Sequence, residues 1–322
     1  MSDSLLDVRN LRMYFYGSSQ VVRAVDDVSL SVREGEVVGI VGESGSGKTA
    51  TALSLIRLLP PNARIVSGEI LHKGKNLASL EETELRKIRG AEISMVFQDP
   101  MTFLDPLMKI GDQISESISL HQGKTSDLKV KVVDSLRAVS IPSPEKVLDY
   151  YPHQLSGGMK QRVLIAIALS CEPSLIIADE PTTALDVTVQ GQILELLKTL
   201  VRKRRGLSLL LITHDLGVVA EMCDRVYVMY AGKIVEEADV SSLFKEPKHP
   251  YTQALLTAAN SIYFVGREMV GIEGVVPDLT NPPSGCRFHP RCQYAMPICS
   301  EKEPILIDIG TSRAACWLYP KK

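Results

Sequence analysis

The sequence predicts an α/β fold: a largely parallel sheet with helices on both faces, an antiparallel strand layer ahead of it, an inserted helical segment, and a small cysteine-rich appendix. Three observations carry that expectation. The apolar run VVGIV at 37–41 leads straight into a glycine-rich loop and then a helical pattern. Further apolar runs, LIIAD at 175–179 and LSLLLIT at 207–213, alternate with helical stretches, the pattern of parallel strands joined by crossover helices. After about residue 240 the composition shifts to proline, aromatic and cysteine residues.

Taken in chain order, LLDVRNL (5–11) and VVRAVDDVSLSVR (21–33) alternate apolar and polar residues and read as antiparallel strands. VVGIV follows as a buried core strand. The helix predicted over Thr49–Leu59 stops at Pro60 and Pro61, because proline cannot continue it. Between Met108 and Tyr151 helical stretches broken by polar turns predict an inserted helical subdomain. A helix over Gly158–Leu169, a strand over Leu175–Ala178, a helix through Val189–Arg204 and a strand over Leu207–Ile212 complete the core, and Val226–Met229 with Lys233–Val235 read as a closing hairpin around Ala231 and Gly232. The expected division is a main domain over 1–240, with its helical subdomain at 104–171, and an extension over 241–322.

The 322 residues suffice for one large domain and a smaller one. Lys and Arg total 36 against 38 Asp and Glu, a net charge of −2, which argues against a nucleic-acid binder that works through a global positive field. The start, MSDSLLDVRN, lacks a basic stretch followed by an apolar one, so the expectation is no signal peptide and residence in the cytosol. The longest apolar runs fall far short of the ~20 residues that span a bilayer. Membrane work would therefore go through a partner.

Gly42-Glu43-Ser44-Gly45-Ser46-Gly47-Lys48-Thr49 fits a phosphate loop without a gap. Its glycines let successive backbone N–H groups point at phosphates, and the following helix, beginning with Thr49 and Ala50, adds a favourable dipole. Lys48 reaches the β and γ phosphates of ATP, and Thr49 supplies a hard oxygen to Mg²⁺. LIIADE places Asp179 and Glu180 at a strand end, where adjacent side chains point to opposite sides. They therefore divide the work: Asp179 toward the Mg²⁺ shell, Glu180 toward an attacking water. Ser156-Gly157-Gly158 opens a long helix through Gln161, with Ser156 as N-cap and two glycines that allow close approach to an anion. Taken alone, SGG is more simply a plain helix cap. Only one GxxxxGKT is present and no internal repeat, so the chain carries one nucleotide-binding core.

The whole string LSGGMKQR (155–162), placed just ahead of LIIADE, resembles the signature of nucleotide-binding subunits of ATP-binding-cassette transporters, and the resemblance covers about residues 5–240. It implies a P-loop core of the RecA-like type with two ATPase subunits packed head to tail. ATP on the phosphate loop of one then meets Ser156, Gly157, Gly158 and Gln161 of the other. Gln98 in SMVFQDP matches the glutamine that joins the metal shell and moves with the membrane partner; Ala184-Leu185-Asp186 matches the loop at the dimer seam; His214 in LLLITHD matches the switch histidine at the γ phosphate. Phe15 in NLRMYFY matches the aromatic that stacks on adenine, with Tyr14 and Tyr16 beside it as alternatives.

SSLFKEPKHPYTQALL (241–256) and PPSGCRFHPRCQYAMPIC (282–299) resemble the extension of dipeptide and oligopeptide permease ATPases. FQDPMTFLDP is similar to that group as well, with Phe103 and Asp105 departing from the commoner MTSLNP. The resemblance implies peptide import at the cytoplasmic face of a cell membrane, as a peripheral subunit. Its partners would be two transmembrane permease subunits, a second ATPase subunit, identical or related, and an extracytoplasmic substrate-binding protein. Nickel, glutathione and sugar-oligomer importers share this type of ATPase, and a soluble cassette ATPase acting on ribosomes or DNA is the alternative from another class.

Cys171 and Cys223 sit alone in apolar segments and read as small buried hydrophobes. Cys286, Cys292, Cys299 and Cys316 have the spacing C-x5-C-x6-C-x16-C, without the C-x2-C pairs of ordinary zinc ribbons. Disulfides are disfavoured in the cytosol. Four thiolates are the ligand set of a [4Fe–4S] cluster, which members of the resembled group carry, so the expectation is a cluster that staples the extension. Zinc, kept open by His289, and uncoordinated thiols are the alternatives.

Overall fold

The structure is a computed structural model, described for residues 4–123, 126–183, 185–204, 206–263 and 271–319. The chain begins with β1 (Ser4–Tyr16), β2 (Val21–Arg33) and β3 (Val37–Val41), then α1 (Lys48–Leu55), β4 (Ala63–His72) and β5 (Lys75–Asn76). Next come α2 (Glu82–Ile88), β6 (Ile93–Val96), α3 (Pro100–Phe103), α4 (Ile110–Gln122), α5 (Leu128–Ala138) and α6 (Pro144–Val147). α7 (Gly157–Leu169), β7 (Leu175–Asp179), α8 (Val187–Lys203), β8 (Ser208–Thr213), α9 (Leu216–Met222), β9 (Arg225–Tyr230) and β10 (Lys233–Asp239) follow. The chain ends with α10 (Val240–Lys245), α11 (Pro250–Tyr263), α12 (Pro297–Glu301), β11 (Ile307–Ile309) and β12 (Ser312–Ala314).

The chain divides into two compact units, one of Met1–Arg33, Val37–Ser79 and Ile212–Lys322, the other of Glu34–Glu36 and Leu80–Leu211. The first unit holds an antiparallel sheet in the order β2-β1-β4-β5 and a second set of strands in the order β11-β12-β10-β9-β3. β3 runs parallel to β9, with Val38 opposite Arg225 and Val41 opposite Val228, whereas β9–β10 and β10–β12 are antiparallel. All five residues of β3 are buried, which is why it reads as an uninterrupted apolar run. Val41, Val228, Tyr230, Tyr251, Leu256 and Phe288 belong to one core cluster, so α11 and the chain beyond it are built into this unit's interior. The rings of Tyr230, Tyr251 and Phe288 lie 4.6–5.4 Å apart.

Helix α1 ends sooner than Pro60 requires. Arg57 adopts a left-handed φ of 51°, and its N–H bonds the Ser54 carbonyl at 3.0 Å, so the turn is made before the prolines are reached.

In the second unit β6 runs parallel to β7, with Ile93 opposite Leu175 and Val96 opposite Ala178, and β8 follows in the order β8-β7-β6. Ile110, Ile114 and Ile118 recur every four residues on the buried stripe of α4, as an amphipathic helix requires. Helices α4–α6 occupy the segment for which a helical subdomain was expected. Helix α8 buries Ile193, Leu197, Leu200 and Val201, and places Arg202 and Lys203 in its last turn, where cations suit the helix dipole. No helix among the described residues is long and apolar enough to cross a membrane.

Candidate functional site

In the first unit the glycine-rich loop joins β3 to α1, the geometry in which a helix N-terminus faces an anion. Two glycines are sterically obligatory. A Cβ on Gly42 would collide with the Met229 carbonyl oxygen, and one on Gly47, whose φ is +102°, would collide with that of Ala24. The loop is therefore seated on the ends of β9 and β2. Lys48 Nζ is buried at its centre, donating to the carbonyls of Gly42 at 2.8 Å and Glu43 at 3.0 Å. Ser46 Oγ is buried without a hydrogen-bond partner, while Ser44, Gly45 and Thr49 are exposed and Ala50 is half-buried. A wrapped loop with a central ammonium, an unsatisfied hydroxyl and an open rim fits a polyphosphate.

Phe15 lies near the end of β1, half-buried, opposite Val22 and Ala63 on the neighbouring strands. Tyr14 donates its hydroxyl to Asp26 at 3.0 Å, and Tyr16 is exposed with Arg64 over its ring. His214 is exposed directly after β8, and Asp215 caps α9 by accepting from Gly217 and Val218.

The second unit gathers the other expected residues. Asp179 is the buried last residue of β7, and Glu180 beyond it takes a left-handed φ of 45°, a conformation that costs a non-glycine residue energy and clusters at functional sites. Gln98, two residues past β6, donates Nε2 to Glu180 Oε2 at 3.1 Å, and Thr183 Oγ1 donates to the same oxygen at 3.0 Å. Ser156 caps α7 by accepting from Met159 N at 3.3 Å. Gly157 is exposed, and Gln161 is buried with its Nε2 unpartnered. Asp186 caps α8 through Val189 N at 2.9 Å. The two helix starts touch: a Cβ on Gly157 would meet Leu185, and one on Gly158 would press on Val189. Ser156, Gly157 and Asp186 thus share an exposed region. Ala184 lies outside the described residues.

The expectation of a cluster on Cys286, Cys292, Cys299 and Cys316 is not supported. The four thiols line one small cavity with His249, Phe288 and Trp317, yet among the described residues no group of three or more His, Cys, Asp or Glu side chains is placed to hold a metal ion. All six cysteines are free thiols. Burial pushes the Cys286 thiol up to about 12 and raises Cys292 and Cys316 as well. Neither a [4Fe–4S] cluster nor zinc is assigned to the extension.

What holds the extension instead is a set of residues that motif reading passed over. Arg291 makes a two-pronged ion pair with Glu43 of the phosphate loop, at 2.8 and 3.2 Å. Tyr251 Oη accepts from the Glu43 N–H at 2.9 Å. Arg287 bonds the Ala231 carbonyl and the Asp26 carboxylate. Nothing local in the sequence marks Glu43 or Asp26 as partners of the two arginines in CRFHPRC.

Comparison with known proteins agrees with this construction. Residues 25–183 match the ABC transporter family, and residues 235–299 match the C-terminal region of oligopeptide/dipeptide transporters. A probable peptide ABC transporter ATP-binding protein of Sinorhizobium fredii is 51% identical over 322 residues, which is 98% of this chain and 95% of that protein. The dipeptide transport ATP-binding protein DppD of Escherichia coli is 47% identical over 318 residues, 98% of this chain and 97% of that protein. Among solved structures, the dimeric ATP-binding cassette MJ0796 in a post-hydrolysis state with ADP and Pi superposes with a TM-score of 0.65 at 29% identity, over 73% of this chain and 98% of that one. The strand–loop–helix around Lys48, the acidic end of β7, and a near full-length match at about half identity lead to one conclusion: the chain belongs to the ATP-binding subunits of the dipeptide/oligopeptide ABC transporters, and is an ATPase.

Proposed function

We propose that this chain powers import of di- and oligopeptides by hydrolysing ATP held between two ATPase subunits. The observation that carries the hydrolytic role is the Gln98–Glu180 hydrogen bond, which orients a carboxylate at the end of a buried strand. Gly42, Ser44, Gly45, Ser46, Gly47, Lys48 and Ala50 cradle the phosphates, and Phe15 stacks on adenine, a reading supported by the commitment of Tyr14 to Asp26. Thr49, Gln98 and Asp179 would hold Mg²⁺, which when bound neutralises charge developing on the β and γ phosphates. Glu180 polarises the attacking water and His214 contacts the γ phosphate. Ser156, Gly157, Gly158 and Gln161 are lent to the ATP of the second subunit, with Asp186 at the seam. The relatives' names, peptide and dipeptide transport ATP-binding proteins, support a peptide cargo. In this reading the chain works as a peripheral subunit at the cytoplasmic face of the membrane, with two transmembrane permease subunits and an extracytoplasmic binding protein as partners. As sequence divisions we keep a cassette over 1–240, its helical part at 104–171, and an extension over 241–322.

Reconstitution with the permease subunits in proteoliposomes tests this reading. ATP-driven uptake of labelled dipeptides or oligopeptides, lost with Glu180→Gln, is the expected outcome. Uptake of nickel, glutathione or sugar oligomers in place of peptides would move the cargo and leave the ATPase assignment intact.

A further inference from the structure

Glu43, the second residue of the phosphate loop, is bound to the extension by every polar group it has except its carbonyl. Its N–H donates to Tyr251 Oη at 2.9 Å and its carboxylate takes both prongs of Arg291. The carbonyl faces the other way and accepts from Lys48 Nζ at 3.0 Å and from Ser46 N at 3.2 Å. A displacement of Glu43 therefore displaces an acceptor that fixes the lysine at the centre of the loop.

Arg291 has no slack to absorb such a displacement. Its side chain is 5% exposed, its Nε donates to the Glu273 carbonyl at 2.8 Å, its Nη2 to the Ile272 carbonyl at 3.1 Å, and its Nη1 to Tyr230 Oη at 3.3 Å. A second grip lies four residues earlier, across the short turn His289–Arg291. Arg287 holds the Ala231 carbonyl, and the next residue, Gly232, donates its N–H to the Ser46 carbonyl at 2.8 Å. Segment 286–292 thus holds the loop at Glu43 directly and at Ser46 through the hairpin between β9 and β10.

We propose that segment 286–292 is a clamp on the phosphate loop and that Arg291 is a positioning residue which sets the affinity for ATP through Glu43. The inference rests on reading Gly42–Thr49 as the ATP site. It makes the extension a control element for nucleotide binding: whatever loosens the clamp from outside weakens ATP binding without touching a phosphate contact.

The test uses the full chain, with binding of the fluorescent analogue mant-ATP and steady-state hydrolysis measured for Glu43→Gln, Arg291→Lys, Arg291→Ala and the double variant Glu43→Gln/Arg291→Ala. Removal of a charge-assisted, two-pronged pair is expected to raise Kd and KM for ATP about tenfold while kcat stays within about threefold, with Arg291→Lys between wild type and Arg291→Ala. The double variant should bind no worse than Arg291→Ala, since both changes cut the same link. Glu43 is partly exposed and Gln preserves its shape, so that variant carries the test should Arg291→Ala misfold. A Kd for Glu43→Gln within twofold of wild type, or full additivity of the two changes, overturns the proposal. Wild-type binding that Lys48→Ala leaves intact would instead remove the ATP site, and the clamp with it.

Discussion

Gln98 and Glu180 stand 82 residues apart in the chain and meet through a 3.1 Å hydrogen bond from amide to carboxylate. Thr183 completes the alignment of the same oxygen from three residues downstream. With Glu180 as the group that polarises water, Glu180→Gln should lower kcat by at least about 100-fold, the lower range for loss of a general base, while ATP affinity stays within about threefold. Gln98→Ala removes one aligning donor and should cost about tenfold in kcat. Single-turnover hydrolysis alongside mant-ATP binding separates the two effects.

The phosphate loop leaves no room at two positions. Gly42→Ala places a methyl on the Met229 carbonyl, and Gly47→Ala adds a left-handed backbone penalty to a clash with the Ala24 carbonyl. Either should lower stability by about 2–4 kcal/mol and abolish ATP binding. Urea unfolding checks the first effect and equilibrium dialysis the second.

Gly157 separates folding from function. Its Cβ position meets only Leu185 at ordinary contact distance, so Gly157→Ala should fold with a change of no more than about 1 kcal/mol. If the exposed start of α7 receives a nucleotide from a second subunit, the same variant should lose about tenfold in hydrolysis. The loss should persist at high protein concentration, where the parental rate per chain rises as subunits pair.

Asp26 gives the fold an acid-sensitive joint. Burial alone would raise its pKa, but the charges of Lys233 and Arg287, the hydrogen bond from Tyr14 and the charge of Arg12 outweigh that and hold the carboxyl below its usual range. A carboxyl with a depressed folded pKa adds stability above its unfolded pKa and gives it up as pH falls toward the folded one. Thermal unfolding should therefore show a stability limb that declines below about pH 4. Asp26→Asn should cost about 3 kcal/mol at neutral pH by leaving Arg287 buried with a weaker partner, and should flatten that limb.

How much was legible follows from how far apart the interacting residues lie. Gly42–Thr49 and Ser156–Gln161 are contiguous strings with fixed local geometry, and VVGIV and LIIAD are apolar runs because their strands are buried along their whole length. The hairpin around Ala231 and Gly232 was visible for the same local reason. The Arg291–Glu43 pair spans 248 residues and the Arg287–Asp26 pair 261, and no local pattern records a partner at that distance. The short strands β11 and β12 carry three residues each, too few for alternation to register. The cysteines misled because spacing counts thiols without stating whether the folded chain aims three or more of them at one point.

The pairing of β12 with β10 reaches beyond nucleotide chemistry. Strand β10 would otherwise end the sheet with a seven-residue ladder of unpaired amides and carbonyls, which invites another chain to add itself. The extension covers that edge at Glu236–Ala238 and there moves the boundary to β11, only three residues long and carrying the strongly exposed Asp308. A chain cut after residue 240 would therefore present a long sticky edge, and its first symptom in the cell would be aggregation rather than slow transport.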